Sequence, residues 1–122
     1  MAKTILIFED DALNMKLFND LLQSQGYNPV QAVDGRDAVA LVREAHPDVI
    51  LMDIQLPEIS GMELTRTIKS DDALKDIPIV AVTAFAMKGD EERIRESGCD
   101  GYISKPISVP SFLETVARFA AE

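Results

Sequence analysis

Five short apolar runs alternate with five longer segments that carry helical spacing, and few chain topologies satisfy that rhythm. The runs fall at residues 4–9, 28–32, 49–53, 79–83 and 101–105. Strands separated by helices pair in parallel and are covered on both faces, so the pattern predicts an α/β protein built on one parallel sheet. The 122 residues fit one domain, burying roughly two-thirds of its unfolded surface, and leave no room for a second.

The segments between the runs carry helix punctuation. Leu13, Leu17, Leu21 and Leu22 recur at helical intervals, Asp11 stands where an N-cap belongs, and Gly26 stands where the helix should stop. Asp34 is the expected cap of the second helix, whose stripe is Ala38, Val39, Leu41 and Val42, before His46-Pro47 ends it. A third helix should open at Ser60-Gly61 and bury Met62, Leu64, Thr65 and Ile68. Ser108 is the expected cap of the last helix, with Pro110 in its first turn and Phe112, Leu113, Val116 and Phe119 facing inward. The fourth helical segment, 87–97, is different, because Met87 and Ile94 are its only large apolar anchors. Gly89 weakens it by about a further 1 kcal/mol relative to Ala. Low local stability, and hence motion, is expected there.

Composition excludes several function classes. A net charge of −9 with 12 scattered basic residues does not suit a nucleic-acid partner. The apolar runs are strand-sized, so no membrane insertion is expected. Cys99 is the lone cysteine, which rules out an internal disulfide and suits a small, partly buried hydrophobe in a reduced, cytoplasmic setting. The first residues enter a strand pattern without a cationic and apolar leader, so no export signal is expected.

Chemistry is concentrated where the strands end. Asp53 closes the run Val49-Ile50-Leu51-Met52, where burial penalises a carboxylate that is neither paired nor ligated. Glu9-Asp10-Asp11 closes the run Ile5-Leu6-Ile7-Phe8 in the same way. In open parallel sheets sites form beyond the carboxyl ends of the strands, so these acids should meet. Carboxylates crowded together repel, and a bound divalent cation relieves the repulsion. The other strand ends add Thr83 with Ala84, and Lys105 with Pro106.

This ordered set resembles the CheY-like receiver domain of bacterial two-component response regulators, and the resemblance spans the whole chain. It rests on Glu9-Asp10, on 51–57 with Asp53 at its centre, on 83–89 opening with Thr83-Ala84, and on 105–108 opening with Lys105-Pro106. With Asn14-Met15-Lys16-Leu17, these segments resemble a subgroup of single-domain regulators of the bacterial cell cycle and cell division. The resemblance implies a doubly wound, flavodoxin/CheY-like sheet in the order 2-1-3-4-5 with five helices. It implies a single receiver domain over 1–122 with no effector domain.

The implied role is that of a phosphoacceptor signalling protein rather than an enzyme acting on other substrates. Asp53 would take a phosphoryl group from a histidine kinase, forming an aspartyl phosphate. Mg²⁺ would be held by Glu9 through a water, by Asp10 and Asp53, and by the backbone carbonyl of Gln55. Lys105 would pair with the Asp53 carboxylate at rest and with a phosphoryl oxygen afterwards, preceding a cis bond to Pro106. Thr83 would donate its hydroxyl to the phosphoryl group, Tyr102 would follow it inward, and Ala84 would leave the space. Gln55 and Phe85 would flank the path of an attacking water, and the aromatic ring would slow loss of the phosphoryl group.

Sensor histidine kinases and phosphatases are the implied partners, docking along Asn14, Met15 and Phe18, and the signal would leave through the fourth helix, fifth strand and fifth helix. An alternative within the family is a relay intermediate that hands its phosphoryl group to a phosphotransfer protein. A haloacid-dehalogenase-like phosphatase also uses a strand-end Asp with Mg²⁺, but it wants a second acid two residues on, where this chain has Gln55. A flavodoxin-like flavin binder needs a phosphate loop after the first strand, and Glu9-Asp10-Asp11 would repel the phosphate.

Overall fold

A computed structural model describes residues 2–33, 35, 37–54, 56, 60–83 and 88–121, with only the backbone considered for 88–91. The elements run β1 (Thr4–Phe8), α1 (Ala12–Ser24), β2 (Asn28–Ala32), α2 (Ala38–Ala45), β3 (Val49–Asp53), α3 (Gly61–Lys69), β4 (Ile79–Thr83), α4 (Lys88–Glu96), β5 (Gly101–Ser104) and α5 (Val109–Ala120). The five strands form one parallel sheet in the order β2-β1-β3-β4-β5. Three predicted strands carry the expected bounds. β1 and β5 stop one residue early, which leaves Glu9 and Lys105 just past the sheet.

The two-residue period of a strand sorts the core into layers. Ile5, Ile7, Val49, Leu51, Val80, Val82 and Ile103 pack with Met15, Phe18 and Leu22 of α1 and Phe112, Val116 and Ala120 of α5. Their neighbours Leu6, Phe8, Ile50, Met52 and Ile79 face the other way, onto Ala38 and Val42 of α2 and Leu64 and Ile68 of α3. Ile54, Ala81 and Ile94 make a small third cluster beneath α4. Phe8 is fully buried, and Ala32 and Ala38 in its cluster supply the room its ring needs.

Helix ends follow local chemistry, with corrections. Asp11 caps α1, its Oδ1 accepting from the amides of Leu13 (2.9 Å) and Asn14 (3.2 Å), and Gly26 takes the left-handed turn at φ 85° just beyond the helix. The stripe of α1 meets the expected leucine set only in part: Met15, Phe18 and Leu22 are buried and Leu21 packs against the core, while Leu13 is 81% and Leu17 39% exposed. The two stripes are offset by two residues, about 200° around a helix. Met15 and Phe18 are therefore unavailable for docking. The cap position of α2 is Asp37, in a left-handed conformation without a side-chain cap, and Asp34 lies outside the described residues. Ser108 holds the cap position of α5 but makes no side-chain cap bond, so that helix start relies on Pro110 and on packing.

Candidate functional site

The alternation that buries Ile7, Leu51 and Ile103 on one face continues past the strand ends. The next residues of that phase are Glu9, Asp53 and Lys105, so the core row turns polar where the sheet ends. Pairing in register carries this out: Ile7 lies beside Leu51, Asp53 beside Val82, and Val82 beside Ile103. Asp10 follows Glu9 in the turn that leads to the Asp11 cap.

The result is a tight carboxylate cluster. Glu9, Asp10 and Asp53 each offer one oxygen, and these lie within 4.8 Å of one another. Glu9 and Asp53 are 1% and 2% exposed, whereas Asp10 is open to solvent. Lys105 reaches in from the end of β5, its Nζ 2.9 Å from Glu9 Oε1 and 3.5 Å from Asp53 Oδ2. The shorter contact is an ion pair without hydrogen-bond geometry, and the buried Glu9 Oε1 has no hydrogen-bond partner among the described residues. Its other oxygen accepts from the Asp11 amide at 3.2 Å. As the resemblance implied, Lys105 pairs with Asp53, donating to its Oδ2 at 3.5 Å, and it makes a shorter ion pair with Glu9 as well.

The charges respond to this crowding. Burial, and then the neighbouring Asp53 carboxylate, push Glu9 up to about 7, although Lys105 and the Asp11 amide pull the other way. Burial draws the Lys105 ammonium down, but the Glu9 and Asp53 carboxylates outweigh it and leave it above its ordinary value.

Oxygen-only donors, one of them buried without a hydrogen bond, suit a hard divalent cation. Three carboxylates against one ammonium leave two negative charges when all are ionised, which such a cation balances. Glu9, Asp10 and Asp53 are thus the residues that fit a metal. The expected fourth ligand, Gln55, lies outside the described residues.

Thr83 is fully buried at the end of β4, and its carbonyl accepts the Lys105 amide at 2.7 Å. It belongs to the opposite phase, following Ala81 on the α4 side. Tyr102 sits beside Ala81 in register and packs against Ile54, Ala81 and Ile94 on that same side. Glu9, Asp53 and Lys105 thus share one phase, with Asp10 beside them, and Thr83 and Tyr102 share the opposite phase, with Thr83 at the same carboxyl edge of the sheet. Ala84, Phe85 and Met87 lie outside the described residues. The Lys105–Pro106 bond is cis, as the resemblance implied. Cys99 is half-buried, and burial raises its thiol, which suits a structural cysteine.

The face of α1 turned from the sheet borders this cluster. Asn14 and Leu17 line a cleft with Lys105, Pro106 and Ile107. Of the docking residues expected on α1, Asn14 lies on this face, whereas Met15 and Phe18 belong to the buried stripe. Sequence reasoning missed Gly61, whose backbone touches that of Asp53. No side-chain signal marks such a residue.

Comparison with known proteins agrees with this geometry. The response regulator receiver domain model matches residues 5–117. Polar-differentiation response regulators DivK from Brucella ovis and Brucella anthropi are 57% identical over 122 residues, covering 100% of this chain and 99% of theirs. The receiver domain of sensor histidine kinase PA1611 from Pseudomonas aeruginosa, solved with a magnesium ion coordinated in its active site cleft, superposes with a TM-score of 0.91 at 31% identity, covering 100% of both chains. The Saccharomyces cerevisiae Ssk1 receiver domain, solved with the phosphotransfer protein Ypd1, gives 0.90 at 25% identity over 98% of this chain and 90% of that one. A sheet ordered 2-1-3-4-5, with carboxylates and a lysine gathered at its carboxyl edge, and a family match over nearly the whole length place the chain in the receiver domain family of two-component response regulators.

Proposed function

We propose that this receiver takes a phosphoryl group on Asp53 from a phosphohistidine and signals through protein contacts in control of the cell cycle and cell division. The observation that carries the reading is the Glu9, Asp10 and Asp53 cluster within 4.8 Å, with Lys105 against it. An Asp53 carboxylate oxygen attacks phosphorus, the P–N bond breaks with its electron pair and a proton passing to the imidazole nitrogen, and an acyl phosphate forms. Glu9, Asp10 and Asp53 would hold Mg²⁺, which would supply charge neutralisation for the phosphoryl oxygens. Lys105 supplies a positive charge on a flexible stem that follows the phosphoryl group, and Thr83 supplies a hydroxyl donor. Tyr102, on the Thr83 side of the sheet, transmits the change toward α4 and β5.

Partners are sensor histidine kinases and phosphatases, or a phosphotransfer protein in a relay. Support comes from the DivK relatives and from the receiver domain solved with Ypd1. The docking surface we assign is the exposed Leu13 and Leu17 with Asn14, beside the mouth of the site.

Intact mass after incubation with acetyl phosphate and Mg²⁺ tests the central claim. One phosphoryl group should appear on the wild-type chain, and none on Asp53→Asn or with a chelator present. Wild-type levels of modification in Asp53→Asn would place the acceptor elsewhere.

A further inference from the structure

An acceptor carboxylate must be aimed as well as present, and the backbone shows what aims Asp53. Gly61, the first residue of α3, is buried, and its amide donates to the Ile54 carbonyl at 3.1 Å. A Cβ on Gly61 would lie 2.2 Å from the Asp53 carbonyl oxygen, 2.9 Å from the Asp53 carbonyl carbon and 2.8 Å from Ile54 Cα. All three are backbone atoms of the peptide that carries the acceptor. Non-bonded carbon contacts settle at about 3.5 Å, so one methyl group would force this junction open by roughly 1 Å.

Neither side gives way easily. β3 is paired along both edges, with β1 and β4. α3 is held by buried Leu64 and Ile68, and by the fully buried Thr65, whose hydroxyl donates to the Gly61 carbonyl at 2.8 Å. Helix propensity alone would favour alanine here, so the contact is what calls for glycine.

We infer that Gly61 is a positioning residue for phosphoryl transfer. It lets the first turn of α3 bear directly on the Asp53–Ile54 peptide and so sets the direction in which the carboxylate meets Glu9, Asp10 and Lys105. The inference rests on Asp53 being the acceptor. A displacement near 1 Å at reacting atoms costs on the order of 100-fold in rate, so the effect should be far larger than a loss of stability explains.

The test compares Gly61→Ala with Gly98→Ala. Gly98 has φ 106° and meets Lys69 Cγ, beyond the end of α4 and just before β5 begins, at the opposite edge of the sheet from the carboxylates. Phosphorylation rate against acetyl phosphate concentration, Mg²⁺ affinity by calorimetry and thermal midpoint are measured for both. Gly61→Ala should lose about 100-fold in maximal rate, with little change in half-saturation and weaker Mg²⁺ binding. Gly98→Ala should lose stability and keep the wild-type rate.

A folded Gly61→Ala chain that reacts at the wild-type rate, or an equal loss in Gly98→Ala, overturns the inference. Should Gly61→Ala fail to fold, amide exchange on the wild-type chain decides. The Gly61 amide should be among the most protected near the site and unchanged by beryllofluoride, and exchange as fast as at exposed amides overturns the inference. If the wild-type chain takes no phosphoryl group, the acceptor reading fails, and Mg²⁺ affinity in Gly61→Ala still judges the brace.

Discussion

Glu9 bears the greatest electrostatic burden of any residue in the site. It is 1% exposed, faces another buried carboxylate, and is pushed up to about 7. A carboxyl raised in the folded state binds its proton more tightly there than in the unfolded chain. The contribution of Glu9 to the stability of the metal-free chain should therefore be fully present below about 4.5 and lost as pH rises through about 7. Metal binding has the opposite dependence, because an incoming cation must displace that proton. Calorimetric Mg²⁺ titrations should show affinity falling as pH drops below about 7, with protons released on binding. Glu9→Gln should bind more weakly at high pH and lose the dependence near 7. An unchanged pH profile in that variant would show that Glu9 is not the titrating ligand. The strand-end acids were legible in the sequence because a carboxylate closing an apolar run is chemically conspicuous. The additional ion pair of Lys105 with Glu9 was not, since a 2.9 Å contact between residues 96 positions apart is decided by side-chain length and strand ends in three dimensions.

Elements were legible to the extent that one period dominated them. β2, β3 and β4 are bounded as expected. α1 carries two apolar stripes, Leu13 with Leu17 and Met15 with Phe18 and Leu22, and both have helical spacing. Periodicity alone does not say which stripe meets the sheet. The structure resolves it: Phe18 stacks on Phe112 with ring centroids 5.2 Å apart, Leu13 is left exposed, and Leu17 lines the cleft beside Lys105. Phe18→Ala should accordingly cost about 3–5 kcal/mol in urea unfolding, whereas Leu13→Ala should stay within about 0.5 kcal/mol. Leu17→Asp should slow phosphoryl transfer from a histidine kinase and leave transfer from acetyl phosphate at the wild-type rate. Equal slowing with both donors would mean that Leu17 shapes the site and not the docking surface.

At the scale of the whole molecule, stability is distributed unevenly between the two ends of α4. The segment that follows its last turn is tied down: Lys69 Nζ donates to the Lys75 carbonyl (3.0 Å), the Ile77 carbonyl (2.9 Å) and Asp100 Oδ2 (2.8 Å). Asp100 Oδ2 also accepts the Ile79 amide at 2.9 Å, and Ser97 Oγ donates to the Ile94 carbonyl. The helix body is held more thinly. Among its described side chains Ile94 alone is buried, in a small cluster with Ile54 and Ala81 flanked by the partly buried Met62, Cys99 and Tyr102, whereas α1 and α5 share a core with four strands. Burial scales with apolar area, so α4 should open at lower free energy than either of those helices while its last turn stays anchored. Charge added at Asp53 would act on the Thr83 and Tyr102 side of the sheet, where this loosely held helix packs. Amide exchange followed by mass spectrometry should therefore show 92–95 exchanging faster than α1 and α5, with protection at 97–100 retained. Beryllofluoride should change exchange in 92–95 and leave 97–100 alone. Uniform protection across α4, or a change confined to 97–100, would move the switching element away from the helix body.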